Sequence, residues 1–175
     1  MKRTLFTNAK LKGIEQLQDL YIVDSKFQEI SPDLADKVQA YETIDLEGKL
    51  VVPPYCYPHI HLDYVFTALN PAAANKTGSL FEGIQRWSET KGHLTKEEIK
   101  DRAKQAMKQE ILTGVQHIRT HVDVTDPKLT ALQAMLELRE EVKDTCDLQI
   151  IAFPQEGMYA YKGGDELVEE ALKMG

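Results

Sequence analysis

Short apolar segments alternate with turn-forming residues over the first fifty positions. Residues 20–23 and 27–30 have the composition of short strands, and the polar residues between them indicate a β-hairpin. Residues 1–17 are polar and basic and predict a leader or a first irregular strand. Residues 41–46 alternate weakly between apolar and polar positions, and Glu47-Gly48 forms a turn after them. Together these segments predict a small N-terminal β unit over residues 1–50.

Beyond residue 50 the pattern changes to strands that alternate with amphipathic helices. The predicted strands are residues 50–61, 115–124 and 148–154. The predicted helices are residues 80–87, 96–113, 127–142 and a last one from Asp165. Strand and helix in repeated alternation are typical of a parallel β/α architecture. We therefore predict an α/β fold with three β/α units over residues 51–175.

Helix boundaries are marked by local capping signals. Thr95 and Glu98 have the spacing of a capping box, and Gly114 is placed to end the helix that follows. Asp126, followed by a proline, has the sequence of an N-cap. Asp165 is predicted to cap the last helix in the same way.

The first predicted strand of the β/α region ends in a candidate metal site. A period of two along a strand places His59, His61 and Asp63 on one face. Two neutral imidazoles side by side can bind a borderline transition metal. The His-x-His spacing alone is weak support for a metal, because hydrogen-bonded structural histidines are the commoner explanation.

The other two predicted strands also end in polar side chains, where parallel β/α folds gather their chemistry. The second strand places four such residues on one face: His117, Arg119, His121 and Asp123. They line a site or form a paired structural network, since buried charges are usually paired. Asp123 beside His121 is a candidate for orienting a ligand or a loop, and the third strand is followed by Gln155.

Composition narrows the class of partner. The chain has 175 residues, 42% hydrophobic and 28% charged, which is typical of a soluble globular domain. A net charge of -7 argues against nucleic acid or an anionic membrane as the main partner and favours a small molecule. Without a long apolar stretch, a cytoplasmic location is the default expectation. Cys56 and Cys146 are predicted to be buried free thiols.

Several well-known motifs are absent from the sequence. It has no Gly-x-x-x-x-Gly-Lys-Ser/Thr, Gly-x-Gly-x-x-Gly, Gly-x-Ser-x-Gly or His-Glu-x-x-His segment. The His-x-Glu and Pro-Cys-x-x-Cys signature of the small zinc deaminases is also missing. Nucleotide binding by these loops, serine hydrolysis and zincin chemistry therefore have no local support.

Four segments in order along the chain resemble the bacterial cytosine deaminases of the amidohydrolase superfamily. These segments are residues 52–63, 78–84, 117–123 and 152–157. The resemblance implies part of a metal-dependent (β/α)8 (TIM) barrel, its first three β/α units, preceded by part of a small β-sandwich. It also implies hydrolytic deamination, in which ammonia leaves a ring carbon that metal-bound hydroxide attacks.

The resemblance also implies roles for individual residues. His59 and His61 match ligands of one divalent metal, iron or zinc. Gln155 matches an amide that hydrogen-bonds the pyrimidine edge, and Leu80 matches a residue near the base. The family's third His ligand and its adjacent Glu follow strand five, a further catalytic His follows strand six, and a metal-binding Asp follows strand eight. None of these is expected among three β/α units, so no catalytic residue is assigned in this chain.

Three interpretations remain open at this point. The first is one part of a cytosine-deaminase-like enzyme, weakly active or inactive alone and completed by another chain. The second is a truncated, non-catalytic remnant that acts as an oligomeric or binding module. The third keeps the enzyme but changes the substrate to isocytosine, creatinine or another cyclic amidine. An open sheet edge after the third strand leads us to expect a homo-oligomer or a complementing chain.

Overall fold

The computed structural model of the protein describes residues 2–175. Chain contacts divide it into two compact units, one ending at Pro53 and one spanning Pro54 to Gly175. The part of the N-terminal prediction that concerns Met1 lies outside the described residues.

The N-terminal unit is a five-stranded sheet. Its strands are β1 (Arg3–Leu11), β2 (Gln18–Val23), β3 (Lys26–Ser31), β4 (Glu42–Asp45) and β5 (Leu50–Val51). They lie in the order β3-β2-β1-β4, with β5 also paired to β1. The predicted hairpin is confirmed as β2 and β3, joined by Asp24 and Ser25 with positive φ angles of 47° and 64°. The predicted first irregular strand is confirmed as β1, a nine-residue strand at the centre of this sheet whose register with β2 shifts between Phe6 and Ala9.

The second unit has mixed α/β content around a three-stranded parallel sheet. Its strands are β6 (Tyr55–Ile60), β7 (Val115–Asp123) and β8 (Asp147–Phe153), in that order. Its helices are α1 (Leu80–Lys91), α2 (Lys96–Leu112), α3 (Thr130–Val142) and α4 (Gly164–Lys173). The predicted alternation of strands and helices is confirmed. None of the described helices combines the length and apolar character that a membrane crossing requires.

The sheet of the second unit buries one face under helices. Ile118 and Val122 of the central strand point into the core, whereas His117 and Arg119, on either side of Ile118, are exposed. The core side chains contributed by α2 and α3 include Ile99, Ala103, Met107, Leu132, Met135 and Leu138. This alternation is the period of two expected for a strand with one covered face. The uncovered face is polar, with Arg119 Nε donating to Gln149 Oε1 at 2.7 Å.

The strand predicted over residues 50–61 is interrupted, which corrects the sequence-based boundary. β5 ends at Val51 and belongs to the N-terminal unit, while β6 begins at Tyr55 in the second. Pro53 and Pro54 lie between them. A proline has no backbone N–H to donate to a neighbouring strand, so two in succession separate the strands.

Helix starts follow the predicted signals in one case out of three. At α2 the capping box is present, with Thr95 Oγ1 accepting from Glu98 N and Glu98 Oε2 accepting from Thr95 N. The Asp126 N-cap prediction was wrong, because Leu129, with a φ of 50°, separates it from α3. The Asp126 carboxylate instead accepts the N–H of Thr130 at 3.0 Å. Asp165 lies in the first turn of α4, where its charge favours the helix N-terminus without capping it.

The two cysteines differ in exposure. Cys146 is a buried free thiol, as predicted. Cys56 is exposed, so the prediction was wrong for this residue. It pairs in register with the exposed His117 of β7, which places it on the face of the sheet that the helices leave uncovered.

Candidate functional site

A cavity of about 660 Å³ opens at the carboxyl ends of β6 and β8. Its walls are two imidazoles at the end of β6, the first part of α1 with the loop before it, and two residues at the end of β8. The larger side chains that line it include His59, His61, Tyr64, Leu80, Ile84, Arg86, Trp87, Phe153 and Gln155. The site is therefore built from segments up to 96 positions apart in the sequence, brought together by the parallel sheet.

Three imidazoles cluster beside this cavity. The ring centroids of His59 and His61 are 5.4 Å apart, and the ring of His121 lies 4.2 Å from His59 and 5.7 Å from His61. Tyr64 stacks on His61 at 4.7 Å, and Phe153 meets it edge-on at 5.3 Å. Aromatic contacts on both sides fix the His61 ring in place.

The surroundings of His61 and His121 favour the neutral form of both imidazoles. Burial lowers the pKa of His61, and the neighbouring His121 and His59 lower it further. Burial also lowers the pKa of His121, together with the charges of His59 and Arg119. A neutral imidazole retains the lone pair that a metal ion requires.

His59 and His61 fit the role of a metal-binding pair. The Nδ1 atoms of His61 and of the neighbouring His121 are buried and have no hydrogen-bond partner, so the Nδ1 atom of His61 is free of competing hydrogen bonds. Across residues 2–175 no three His, Cys, Asp or Glu side chains are arranged to hold a metal ion together. Within the part of the chain that the structure describes, His121 therefore does not join His59 and His61 in a three-residue metal site.

Asp63 does not share the face of the two histidines, which corrects the prediction from strand periodicity. β6 ends at Ile60, so the period of two does not extend to residue 63. The Asp63 side chain is fully buried, and its Oδ2 accepts the backbone N–H of Asp123 at 2.9 Å. Burial raises the pKa of this carboxyl to about 7 even though that hydrogen bond lowers it. Asp63 thus ties the ends of β6 and β7 together outside the cavity lining.

Asp123 is the polar centre of the region behind the cavity. Its carboxylate is 1% exposed and accepts the Trp87 indole N–H at 2.7 Å and Lys91 Nζ at 2.9 Å. It also accepts the backbone N–H groups of Thr125 at 2.8 Å and Gln155 at 3.3 Å. One carboxylate therefore connects α1, the end of β7 and the turn after β8.

Sequence reasoning missed several of the residues that form the site. Leu80 and Gln155, which it proposed, both line the cavity. The sequence pattern placed Trp87 only on an apolar helix face, and it indicated no role in the site for Arg86. The chain's sole tryptophan was one available signal, because a buried indole N–H needs an acceptor such as Asp123.

The loop before α1 is held in shape by Glu82. Its carboxylate accepts the backbone N–H groups of Lys76 at 3.1 Å and Thr77 at 2.7 Å, and also the Thr77 hydroxyl. Ser79 caps the helix by accepting the Glu82 N–H. These bonds shape the loop wall of the cavity around Asn75 and Ser79.

The loop is expected to keep this shape in moderately acidic solution. Hydrogen bonds from the Thr77 side chain, then the Thr77 and Lys76 backbone, lower the pKa of Glu82 to about 2 from an ordinary value of 4.5. Because the pKa of Glu82 is lower in the folded loop, its ionised carboxylate stabilises the loop fully at pH values above 4.5. This stabilisation is lost as the pH falls towards 2. The Thr77 amide resonance should stay constant from about pH 7 to pH 4. A shift of the Thr77 amide resonance centred near pH 4.5 would contradict this expectation. In the Glu82→Gln variant, the change of this resonance at low pH should disappear.

The family of the protein follows from comparison with known sequences. A family model described as "Amidohydrolase family" matches residues 42–173. The chain therefore belongs to the amidohydrolase family, whose enzymes are generally metal-dependent.

Individual relatives are similar to this chain over nearly its whole length. The structure of 5-methylcytosine deaminase from Klebsiella pneumoniae liganded with 5-fluorocytosine is 45% identical, with a TM-score of 0.89 over 98% of this chain. N-isopropylammelide isopropylaminohydrolase from Burkholderia multivorans is 28% identical, with a TM-score of 0.82 over 100% of this chain. The curated N-isopropylammelide isopropyl amidohydrolase of Pseudomonas sp. strain ADP is 30% identical over 98% of this chain.

These relatives are longer than this chain. The chain spans 41% of the Klebsiella structure, 43% of the Burkholderia structure and 43% of the Pseudomonas protein. It therefore corresponds to less than half the length of each of these enzymes. Its similarity to cytosine-deaminase-type amidohydrolases is close over the part that it covers.

Proposed function

We propose that this chain supplies the metal-binding histidine pair and one base-binding wall of a hydrolytic deaminase that acts on cytosine or a related cyclic amidine. The observation that carries the proposal is the cavity that brings His59, His61 and Gln155 together at the ends of parallel strands. The 45% identity to a 5-methylcytosine deaminase whose structure holds 5-fluorocytosine supports the substrate class.

Each proposed residue has a distinct task. His59 and His61 would hold one divalent iron or zinc, which when bound lowers the pKa of a water molecule so that it can act as nucleophile. The Gln155 amide has one acceptor and two donors, which match the edge of a planar pyrimidine. Leu80, on the opposite wall, would contact the face of the ring. His121 and Asp123 would support these groups from behind the cavity.

For the architecture, we propose that residues 51–175 form the first three units of a (β/α)8 barrel and that residues 1–50 form part of a β-sandwich. Within the described residues, β6 and β8 each pair only with β7, so both edges of the sheet are open. Parallel sheets are normally covered on both faces, and open edges promote pairing with further strands. We therefore also propose a homo-oligomer or a complementing chain as partner.

This chain alone is expected to release little or no ammonia from cytosine. Its cavity offers two imidazole ligands, whereas catalytic zinc sites usually have three protein ligands and a water. No carboxylate lines the described cavity to transfer protons. The assay is ammonia release by purified chain loaded with zinc or iron. Turnover on the order of 1 s⁻¹ or faster would contradict this expectation and exclude the alternative of a non-catalytic binding module.

Base binding is expected to depend on Gln155. In calorimetric titrations of the metal-loaded chain with cytosine, Gln155→Ala should weaken binding by about tenfold or more, because the polar edge of the base loses its partner. Gln149→Ala is the matched control, since Gln149 lies on β8, the strand that leads to Gln155, and outside the cavity. Equal affinities of the two variants would overturn the proposal, and parallel titrations with isocytosine and creatinine would rank the substrates.

A further inference from the structure

Lys91, the last residue of α1, makes three polar contacts beneath the cavity. Its Nζ donates to Asp123 Oδ2 at 2.9 Å, to Thr125 Oγ1 at 2.9 Å and to Glu156 Oε1 at 2.5 Å. The Lys91 side chain is only 10% exposed. Three donors matched by three acceptors fully satisfy the buried ammonium group, so its position is tightly defined.

The acceptors of Lys91 flank the proposed base-binding amide. Glu156 follows Gln155 directly in the chain, and its Oε1 also accepts the Ser88 hydroxyl at 2.9 Å. Asp123 Oδ1 accepts the backbone N–H of Gln155 at 3.3 Å. The turn after β8 is therefore attached on one side to α1 and on the other to the end of β7.

We propose that Lys91, Asp123 and Glu156 are positioning residues, which together fix the Gln155 amide at the cavity and hold α1 as the opposite wall. The three residues are called the Lys91 clamp below. The part played by Gln155 in base recognition rests on the proposed function, whereas the mechanical role of the clamp does not.

The charges explain why the clamp needs its lysine. Asp123 and Glu156 carry like charges and approach the same nitrogen atom, within 2.9 Å and 2.5 Å. Without Lys91 the two carboxylates would repel each other in a poorly hydrated region, where electrostatic interactions are strong. Movement of Glu156 would carry Gln155 with it and weaken the recognition of a planar base that has donors and acceptors on one edge.

Hydrogen exchange at the Gln155 backbone amide, measured by NMR, tests the clamp without any ligand. Lys91→Met and Glu156→Ala should each accelerate this exchange by about tenfold, since each removes a charged hydrogen bond that holds the turn. Glu156→Gln keeps an acceptor for Lys91 and Ser88 and should stay close to the wild-type rate. Lys96→Met is the matched control, because Lys96 pairs with Glu137 outside the cavity.

The outcomes separate the clamp from the proposed function. Faster exchange at the Gln155 amide, with unchanged exchange at the Ile118 and Val122 amides, supports the clamp. If the variants show this result but the wild-type chain binds no cytosine, only the proposed function fails. If the wild-type chain binds cytosine, Lys91→Met and Glu156→Ala should each lower the affinity for cytosine by about tenfold, whereas Glu156→Gln should leave it unchanged. Unchanged exchange at Gln155 in both variants would overturn the clamp. An equal acceleration throughout the sheet would also overturn it, by indicating general destabilisation.

Discussion

Replacing both His59 and His61 with alanine is expected to lower the affinity of the chain for Zn²⁺ by roughly a hundredfold, on the order of tenfold for each imidazole lost. The two rings lie 5.4 Å apart beside the cavity, and the Nδ1 atom of His61 has no other partner. Titration against a competing zinc indicator near neutral pH measures the effect, since the lowered pKa of His61 leaves that ring neutral there.

A matched control for this loss is His93→Ala. His93 is an exposed histidine in the loop after α1 and does not line the cavity. It should bind zinc no more tightly than any single surface imidazole, so its removal should leave the affinity of the chain unchanged. Equal zinc affinity in the double variant and in the wild-type chain would show that the metal binds elsewhere.

Asp123→Ala is expected to destabilise the second unit by about 3–5 kcal/mol, the typical cost of removing one partner from a buried ion pair. The variant leaves the Lys91 ammonium with Glu156 as its only carboxylate partner beside the Thr125 hydroxyl, and it removes the acceptor of the Trp87 indole N–H. Urea unfolding followed by the fluorescence of Trp87, the sole tryptophan, reports the loss directly.

Asp147→Ala provides the comparison for this large effect. Asp147 begins β8, its side chain is 77% exposed, and its contact is with the exposed His117 at 3.4 Å. An exposed pair of this kind contributes little, so the variant should unfold within about 0.5 kcal/mol of the wild-type chain. Similar losses for Asp123→Ala and Asp147→Ala would mean that the buried network has no special role in stability.

The features that were predictable from the sequence are those set by neighbours in the chain. The capping box of Thr95 and Glu98 involves residues three positions apart, and the structure has it as predicted. The β2–β3 hairpin and the amphipathic stripe of α3 are also local patterns. Apolar periodicity and cap spacing are enough to predict such elements, because their hydrogen bonds join residues that are only a few positions apart.

Predictions failed where a local signal competed with backbone conformation. Asp126 has the composition of an N-cap, but the left-handed Leu129 delays the helix to Thr130. Asp63 was placed on the histidine face by a period of two that ends with the strand at Ile60. A strand end or a left-handed residue interrupts the periodicity on which a pattern-based prediction depends.

The candidate site was predictable only in part. His59 and His61 are recognisable as an imidazole pair, and resemblance to a family indicated Leu80 and Gln155. The residues behind them could not be found in this way, because Lys91 meets Asp123 across 32 positions and Glu156 across 65. Such pairs are brought together by the arrangement of β7, β8 and α1, which no local pattern specifies.

Anomalous X-ray diffraction from crystals of the zinc-loaded chain grown with cytosine tests the central claim most directly. We expect a zinc peak at the imidazoles of His59 and His61, with density for the base against the Gln155 amide. A zinc peak confined to other histidines such as His93 or His117, or base density outside the cavity, would contradict it.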